Sequence, residues 1–171
     1  MSAEHKNLSD YHSDIIHNVS GFRFGIVVSD YNSAITYALR DACRDTLLKH
    51  GAHANDIIVW HVSGAFELPL AAQLLYEKAK PDALICLGCV VKGETRHDEY
   101  INQAVANALM KLGLKYSCPF VFGVLTTNTM QQAEDRAGGK HGNKGIEAAI
   151  AAIRMAVLGT YAFSLGKKNL K

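Results

Sequence analysis

The stretch that decides the fold reads Leu84-Ile85-Cys86-Leu87-Gly88-Cys89-Val90-Val91-Lys92-Gly93-Glu94-Thr95-Arg96-His97-Asp98-Glu99-Tyr100. It begins with an almost continuous apolar run, which is typical of a strand buried on both faces of a parallel sheet. Thr95, followed three residues later by Asp98, predicts a capping box that opens the next helix. The turn between them would lie at the carboxyl end of a strand, where open α/β sheets bind their ligands.

Three further apolar runs, at 24–29, 57–62 and 119–125, predict strands. Apolar residues at helical spacing predict helices between them, the third running from about His97 to near Gly113. A short helix over 130–136 follows, for which Thr126-Thr-Asn-Thr129 provides capping residues, and then a glycine-rich break and a last helix. This alternation predicts right-handed crossovers and an α/β fold, a three-layer αβα sandwich with a four-stranded parallel sheet.

The composition fits one compact domain. The chain has 171 residues, of which 49% are hydrophobic and 20% are charged. Residues 21–171 are predicted to form this domain. Residues 1–20 contain too few apolar side chains to join the core alone, and they form an arm that is either flexible or ordered on a neighbouring subunit.

The charge pattern favours a small-molecule partner. A net charge of +2 without a long basic run argues against nucleic acid and membrane surfaces as partners. No segment has the roughly 18 continuous apolar residues of a membrane span, and residues 1–18 are too polar for a signal sequence. We therefore expect a cytoplasmic protein.

The four cysteines are predicted to be buried thiols. Cys86 and Cys89 lie in the third strand, Cys43 lies in a helical pattern, and Cys118 precedes Pro119. Cys86 and Cys89 have C-x-x-C spacing, but a redox or zinc site would need the motif at a helix start or near further ligands. A C-x-x-C redox module is thus a weak alternative, and no metal site is expected.

Polar and aromatic residues follow every predicted strand. Because the carboxyl ends of parallel strands share one rim of a sheet, these segments should converge on a ligand site. The four segments are Ser29-Asp-Tyr-Asn32, Ser63-Gly-Ala-Phe-Glu67, Lys92-Gly-Glu-Thr-Arg-His97 and Thr126-Thr-Asn-Thr129.

These segments, with others in the same order, resemble the 6,7-dimethyl-8-ribityllumazine synthase family, whose fold is flavodoxin-like. The similarity runs from about Phe22 to Val157. It rests on Tyr31-Asn32, Ser63-Gly-Ala-Phe-Glu-Leu-Pro69, Gly93-Glu-Thr-Arg-His97 with Glu99-Tyr100, Phe122-Gly-Val-Leu-Thr-Thr127, Gln132-Ala-Glu-Asp-Arg-Ala-Gly138 and Gly142-Asn-Lys-Gly145.

The resemblance implies a transferase in the penultimate step of riboflavin biosynthesis. In that family, 5-amino-6-(D-ribitylamino)uracil condenses with 3,4-dihydroxy-2-butanone 4-phosphate, and phosphate and water are lost. Neither a metal ion nor an organic cofactor is implied.

The resemblance assigns proton transfer and phosphate binding to a few polar residues. His97 would move protons, since a histidine titrates near neutrality. Arg136 would bind the phosphate through two parallel hydrogen bonds. The amides around Gly93, Glu94 and Thr95 would donate to the same anion, with Arg136 on the His97 side of the pocket. Lys144 matches the family motif, although a plain surface lysine would look the same.

The pyrimidine and its ribityl chain have their own candidate residues by the same resemblance. Tyr31 stands where the family more often has Phe or Trp, and it would stack on the ring. Backbone groups of five residues would surround the pyrimidine ring. Glu67 would bind the ribityl chain, cap the second helix, or do both. The backbone contributors are Ala65, Phe66, Cys89, Val90 and Val91. The adjacent subunit would supply Phe122.

Family members form pentameric rings, and some of these rings close into an icosahedral shell. The short 138–145 connection here is compatible both with a single ring and with a shell. We expect a homopentamer with active sites between adjacent subunits. Two alternatives are an archaeal-type riboflavin synthase, which needs no phosphate clamp, and a flavin-binding or shell-forming protein without catalysis. Arg136 argues against the first, and His97, Arg136 and Glu67 together argue against the second.

Overall fold

The sheet contains four parallel strands, as the sequence predicts. The computed structural model describes residues 7, 9–12 and 16–168. The strands lie in the order β2-β1-β3-β4, so β2 and β4 are the edges. Their bounds are β1 Phe24–Ser29, β2 Ile57–Val62, β3 Ala83–Val91 and β4 Phe120–Thr127.

Five α-helices cover the two faces of the sheet within the described part of the chain. Helices α1, α4 and α5 pack on one face, while α2 and α3 pack on the other. The predicted three-layer sandwich is therefore confirmed. The bounds are α1 Ser33–Lys49, α2 Leu68–Ala79, α3 His97–Tyr116, α4 Met130–Asp135 and α5 Lys144–Lys168.

Helix α3 starts at His97, as predicted, but it ends later than predicted. It passes through Gly113 and ends at Tyr116, with Ser117 in the left-handed conformation. A glycine inside a helix costs only about 1 kcal/mol, which the packing of Leu109 and Leu112 against the sheet can offset. The glycine was therefore a poor stop signal.

The predicted capping box at Thr95 and Asp98 is wrong. The helix starts one residue later than that motif requires, with Arg96 at the N-cap, and the structure shows no side-chain cap bond there. The Oδ1 atom of Asp98 is buried and has no hydrogen-bond partner among the described residues. By contrast, the predicted cap of α4 is confirmed, since the Thr129 hydroxyl accepts from the Gln132 amide at 3.2 Å.

The glycine-rich break before α5 contains a small hairpin that the sequence analysis missed. Strands β5 Ala137–Gly139 and β6 Gly142–Asn143 pair in antiparallel fashion. The two strands are too short to show an alternating pattern of apolar residues. The hairpin ends at Asn143, and α5 begins at the next residue, Lys144.

The described parts of the arm lie against the body of the same chain. Ile16 and Val19 are buried in the main core, although the sequence predicts that this region cannot contribute to it. Tyr11 hydroxyl and His50 Nε2 lie 3.0 Å apart, and Ser9 Oγ accepts from the Asn143 amide at 3.1 Å. Residues 1–6, 8 and 13–15 of the predicted arm are outside the described residues.

All four cysteines are buried free thiols, as predicted. Burial raises the pKa of Cys86 to about 12 and that of Cys89 to about 11, so both are protonated at neutral pH. Cys86 packs with α2 and α3, whereas Cys89 packs with α1 and α5. Because their side chains lie on opposite faces of the sheet, they cannot act as a redox or chelating pair.

Helix α5 is longer and more apolar than the sequence analysis anticipated. Its Lys144–Ala162 portion has 19 residues and a mean hydropathy of 1.3, enough to cross a membrane by length and composition alone. The helix nevertheless contains a row of buried residues, among them Ala149, Ile153 and Ala156, in the core with α1 and β3. Such a row of buried residues is typical of a helix that packs in the core of a protein.

The crossing of α5 over α1 yields a stability prediction. A methyl group on Gly145 would overlap the carbonyl oxygen of Leu39, whereas one on Gly159 would enter open space. Gly145→Ala should therefore lower the free energy of unfolding by about 1–3 kcal/mol. In the same helix, Gly159→Ala should keep or raise stability by up to about 1 kcal/mol.

Denaturant unfolding of both variants beside the wild type measures the difference. An equally stable Gly145→Ala variant would contradict the close approach of the two helices.

Candidate active site

The carboxyl rim of the sheet carries a concavity of about 470 Å³, within the range of small-molecule sites. Three strand ends meet there, because β1, β2 and β3 are neighbours and all are parallel. Most of the residues predicted to bind the pyrimidine line it, and so does His97. The predicted site residues that line this concavity are Tyr31, Ala65, Phe66, Glu67, Cys89, Val90, Val91, Gly93, Thr95 and His97.

Hydrogen bonds from the loop after β1 fix its position against the other two strands. The amide of Tyr31 donates to the Ser63 carbonyl at 3.0 Å, and Asn32 Nδ2 donates to the Cys89 carbonyl at 3.0 Å. Asn32 adopts the left-handed conformation (φ 58°), which asparagine tolerates better than most residues. The Tyr31 side chain itself is 70% exposed at the mouth of the concavity.

The loop after β2 leads into α2 through a short 3₁₀ turn, Ala65–Glu67. Ala65 is buried, while Phe66 is exposed and presents its ring at the surface. Glu67 occupies the N-cap position of α2, but no side-chain cap bond is present at this described helix start. The alternative role of Glu67 as a capping side chain is therefore not observed.

Sequence reasoning missed three residues of this concavity. Gly64 lies in the turn before the 3₁₀ segment, and Asp98 and Ile101 lie on α3 beside His97. Ile101 is one helical turn after His97, so the helical period could have identified it. Conversely, Glu94 is exposed in the turn but does not line the concavity.

A second concavity of about 650 Å³ runs along β4, the free edge of the sheet. Phe122, Arg136 and Lys144 line it, together with several residues that were not predicted. These are Val124, Leu125, Thr126, Thr127, Gln132, Asp135, Lys140 and His141. The two concavities have no described residue in common.

The predicted position of Arg136 on the His97 side of the pocket is wrong within one subunit. Helix α3, which begins at His97, covers one face of the sheet, while α4, which ends just before Arg136, covers the other. The two side chains therefore line different concavities, and Arg136 shares its own with Phe122.

The cations of the second concavity are held by Glu147. Arg136 Nη2 lies 2.7 Å from Glu147 Oε1, and Lys144 Nζ donates to Glu147 Oε2 at 3.1 Å. Arg136 Nη1 also donates to the His141 carbonyl at 2.9 Å, and the arginine side chain is only 17% exposed. Two cations around one carboxylate leave this group of three with a net positive charge.

A third ion pair lies at this concavity. Asp135 and Lys140 form an ion pair at 3.1 Å. Burial disfavours ionisation of Asp135, but hydrogen bonds from Lys140 and Gln131 outweigh that effect and lower its pKa. Asp135 is thus ionised at neutral pH. The concavity has mixed charges at its rim and a fixed guanidinium within it.

Comparison with known proteins identifies a family. The model of the 6,7-dimethyl-8-ribityllumazine synthase family matches residues 21–159. A 6,7-dimethyl-8-ribityllumazine synthase of Cytophaga hutchinsonii is 52% identical over 155 residues, which cover 91% of this chain and 97% of the relative. The enzyme of that name from Porphyromonas gingivalis is 49% identical over 158 residues, covering 92% of this chain and 98% of the relative.

Both the family model and these relatives extend over nearly all of the chain, including every strand of the sheet and both concavities. The chain therefore belongs to the 6,7-dimethyl-8-ribityllumazine synthase family.

Proposed function

We propose that this chain forms 6,7-dimethyl-8-ribityllumazine in a pocket that two adjacent subunits complete. Its family makes it a transferase of riboflavin biosynthesis. The observation that carries the proposal for the site is the separation of an aromatic, largely apolar concavity from a cationic one on the free edge β4. One subunit would supply the first concavity and its neighbour the second.

The first concavity suits the ribitylaminouracil. Tyr31 would stack on the pyrimidine ring, since an aromatic face packs well on a planar heterocycle. Backbone groups of Ala65, Phe66 and Cys89 to Val91 surround the same space. Glu67 has a carboxylate at the lining and would accept hydrogen bonds from hydroxyls of the ribityl chain.

The second concavity suits the phosphate of the butanone. Arg136 is already held in place by Glu147 and the His141 carbonyl, so little conformational freedom is lost when it binds an anion. Its fork of donors matches phosphate oxygens. Lys144 adds a second positive charge nearby, and the amides of Gly93 to Thr95 would approach from the first subunit.

His97 is placed to move protons between the two substrates. It lines the first concavity at the start of α3, and its side chain is exposed to the space where the second subunit would add its cations. Imine formation and the loss of phosphate both need proton transfer near neutral pH, which a histidine provides. Much of the rate would come from holding the two substrates together.

The oligomer that we propose is a homopentamer in which every subunit uses two different surfaces. An interface of that kind is heterologous and closes into a ring. A third, apolar groove of about 720 Å³ borders the same edge β4, between α3 and α5. Exposed apolar side chains surround it, namely Met110, Leu114, Met155 and Leu158. This surface is suited to burial against a neighbouring copy.

The first test of this function is turnover of both substrates. The purified protein should release one phosphate for each fluorescent lumazine that it forms, measured by a phosphate assay and by product fluorescence. The butanone without its phosphate group is the control, and it should support little turnover. Absence of product from mildly acidic to mildly basic pH would overturn the proposal. Consumption of lumazine without phosphate release would indicate a riboflavin synthase.

The second test addresses the anion site. Arg136→Ala should raise the KM for the butanone phosphate by about 10- to 100-fold, because a charge-assisted bidentate contact is lost. The KM for the pyrimidine should stay within about twofold. Arg154→Ala removes the same charge from an exposed position on α5 outside that concavity and should change neither constant. Equal increases in both constants for Arg136→Ala would show that Arg136 does not bind the phosphate.

The third test asks whether two subunits share one site. Phe66→Asp should disrupt the first concavity, and Arg136→Ala should remove the phosphate-binding side chain from the second. Each variant alone should have low activity. When the two variants are co-assembled at equal amounts, about a quarter of the sites in a heterologous ring receive both intact halves. Activity should then exceed that of either variant alone. No gain in verified mixed oligomers would show that each subunit carries a complete site.

A further inference from the structure

Three polar side chains meet below the loop that carries Tyr31. Asp30 Oδ1 accepts from the Tyr37 hydroxyl at 2.8 Å and from His61 Nδ1 at 2.7 Å. The rings of Tyr37 and His61 stand nearly perpendicular, with centroids 5.5 Å apart. The Arg40 guanidinium lies 4.4 Å above the Tyr37 ring. We call Asp30, Tyr37 and His61 the loop anchor.

The charges of the anchor are complementary. The hydrogen bonds from His61 and then Tyr37 lower the pKa of Asp30, so its carboxylate is ionised at neutral pH. The bond to Asp30 in turn raises the pKa of Tyr37, which keeps the hydroxyl protonated as a donor. An ionised carboxylate only accepts hydrogen bonds, so His61 must donate from Nδ1 in either of its charge states.

Asp30 of the loop anchor directly precedes Tyr31, and the two side chains lie on opposite sides of the backbone. The Asp30 side chain contacts α1 and β2 residues, while the next side chain, Tyr31, lines the substrate concavity. Asn32 then bonds to the Cys89 carbonyl on β3. The residues before and after Tyr31 are thus both fixed by side-chain hydrogen bonds. None of the three anchor residues lines the described concavity.

Backbone hydrogen bonds join the same loop to β2 and the turn that follows it. The Asp30 amide donates to the Val62 carbonyl at 2.8 Å, and the Tyr31 amide donates to the Ser63 carbonyl. Val62 follows His61 directly, so the side-chain contact and the backbone contacts secure one junction. That junction joins the loop of Tyr31 to the turn that leads into Ala65 and Phe66.

We propose that His61, acting through Asp30 and with Tyr37, is a positioning residue that holds Tyr31 at the height where its ring stacks on the pyrimidine. This inference rests on the proposed function, because it takes Tyr31 as the stacking residue. His61 contacts Asp30 rather than substrate. Its loss should let the exposed Tyr31 ring sample more positions, so that binding has to order it again.

The experiment compares four variants by steady-state kinetics with both substrates. His61→Leu removes the donor, and Asp30→Asn removes the charge at the acceptor. His61→Asn keeps an N–H close to the position of Nδ1. His53→Leu is the matched control, since His53 is an exposed histidine that precedes the opposite end of β2.

Each variant is also titrated with the lumazine product, and quenching of product fluorescence reports how the ring stacks. Thermal unfolding shows whether each variant is folded. Because His61 and Asp30 have side chains 39% and 46% exposed, substitutions there should leave the core intact.

The expected result is specific to one substrate. His61→Leu and Asp30→Asn should each raise the KM for the pyrimidine by about three- to tenfold, the range expected for a side-chain hydrogen bond. The KM for the butanone phosphate and kcat should stay within about twofold. Product quenching should weaken in the same variants. His61→Asn should restore most of both properties, and His53→Leu should behave like wild type.

The effects of His61→Leu and Asp30→Asn on the KM for the pyrimidine should also be non-additive in a doubly substituted fifth variant. His61→Leu placed on Asp30→Asn should cause less change than the sum of the two single effects, because both substitutions weaken the same hydrogen bond. Additive effects of the two substitutions on this KM would overturn the proposed positioning role of His61 through Asp30.

Other outcomes separate this inference from the proposed function. An unchanged pyrimidine KM and unchanged quenching in folded His61→Leu overturn the positioning role while wild-type turnover still stands. Equal rises in both KM values without rescue by His61→Asn show a merely structural role and overturn it too. If wild type and His53→Leu neither turn over the substrates nor quench the product, the proposed function itself fails, and the inference fails with it.

Discussion

The placement of His97 and Arg136 in two separate concavities is the constraint on which the rest of the proposed site depends. Successive crossovers place α3 on one face and α4 on the other, because each face has apolar residues that must be covered. His97 starts the first of these helices, and Arg136 follows the second. A single chain therefore holds the two residues in separate concavities, and in the proposed function a second copy would bring the two concavities together.

The position of β4 makes that second copy useful. As an edge strand, it has one neighbour, β3, and its other side borders both the cationic concavity and the apolar groove. An edge strand with apolar neighbours is an association site unless it is covered. In the proposed ring, covering this edge would also deliver Phe122 and Arg136 to the neighbour, so that assembly and catalysis would use one surface.

Within each half of the site, hydrogen bonds hold the functional side chains before substrate arrives. Glu147 contacts both Arg136 and Lys144, and the loop of Tyr31 is fixed on both sides of the aromatic residue. Such contacts reduce the conformational freedom that binding would otherwise remove. In the proposed site, Glu147 and Asp30 would support the binding side chains without touching substrate themselves.

Much of the fold could be predicted from the sequence, because buried parallel strands are nearly continuous apolar runs. The first two strands match their predicted bounds, and Thr129 caps α4 as expected. The start of α3 at His97 was predicted, but its end at Tyr116 was not, since packing on the sheet outweighs a glycine, and the local capping motif at Thr95 is not used. Likewise, local patterns predict neither the β5–β6 hairpin nor the contribution of Ile16 to the core.

The sequence by itself determined the layer architecture, the family and the identity of most residues around the first concavity, because these depend on local periodicity and on the order of motifs. Only the tertiary structure decided which of those residues face one another. The crossovers place α3 and α4 on opposite faces, so that His97 and Arg136 line different concavities, and strand register brings His61 to Asp30 across 31 positions of sequence. Contacts of this kind depend on strand pairing and crossover direction, which no local pattern of residues encodes.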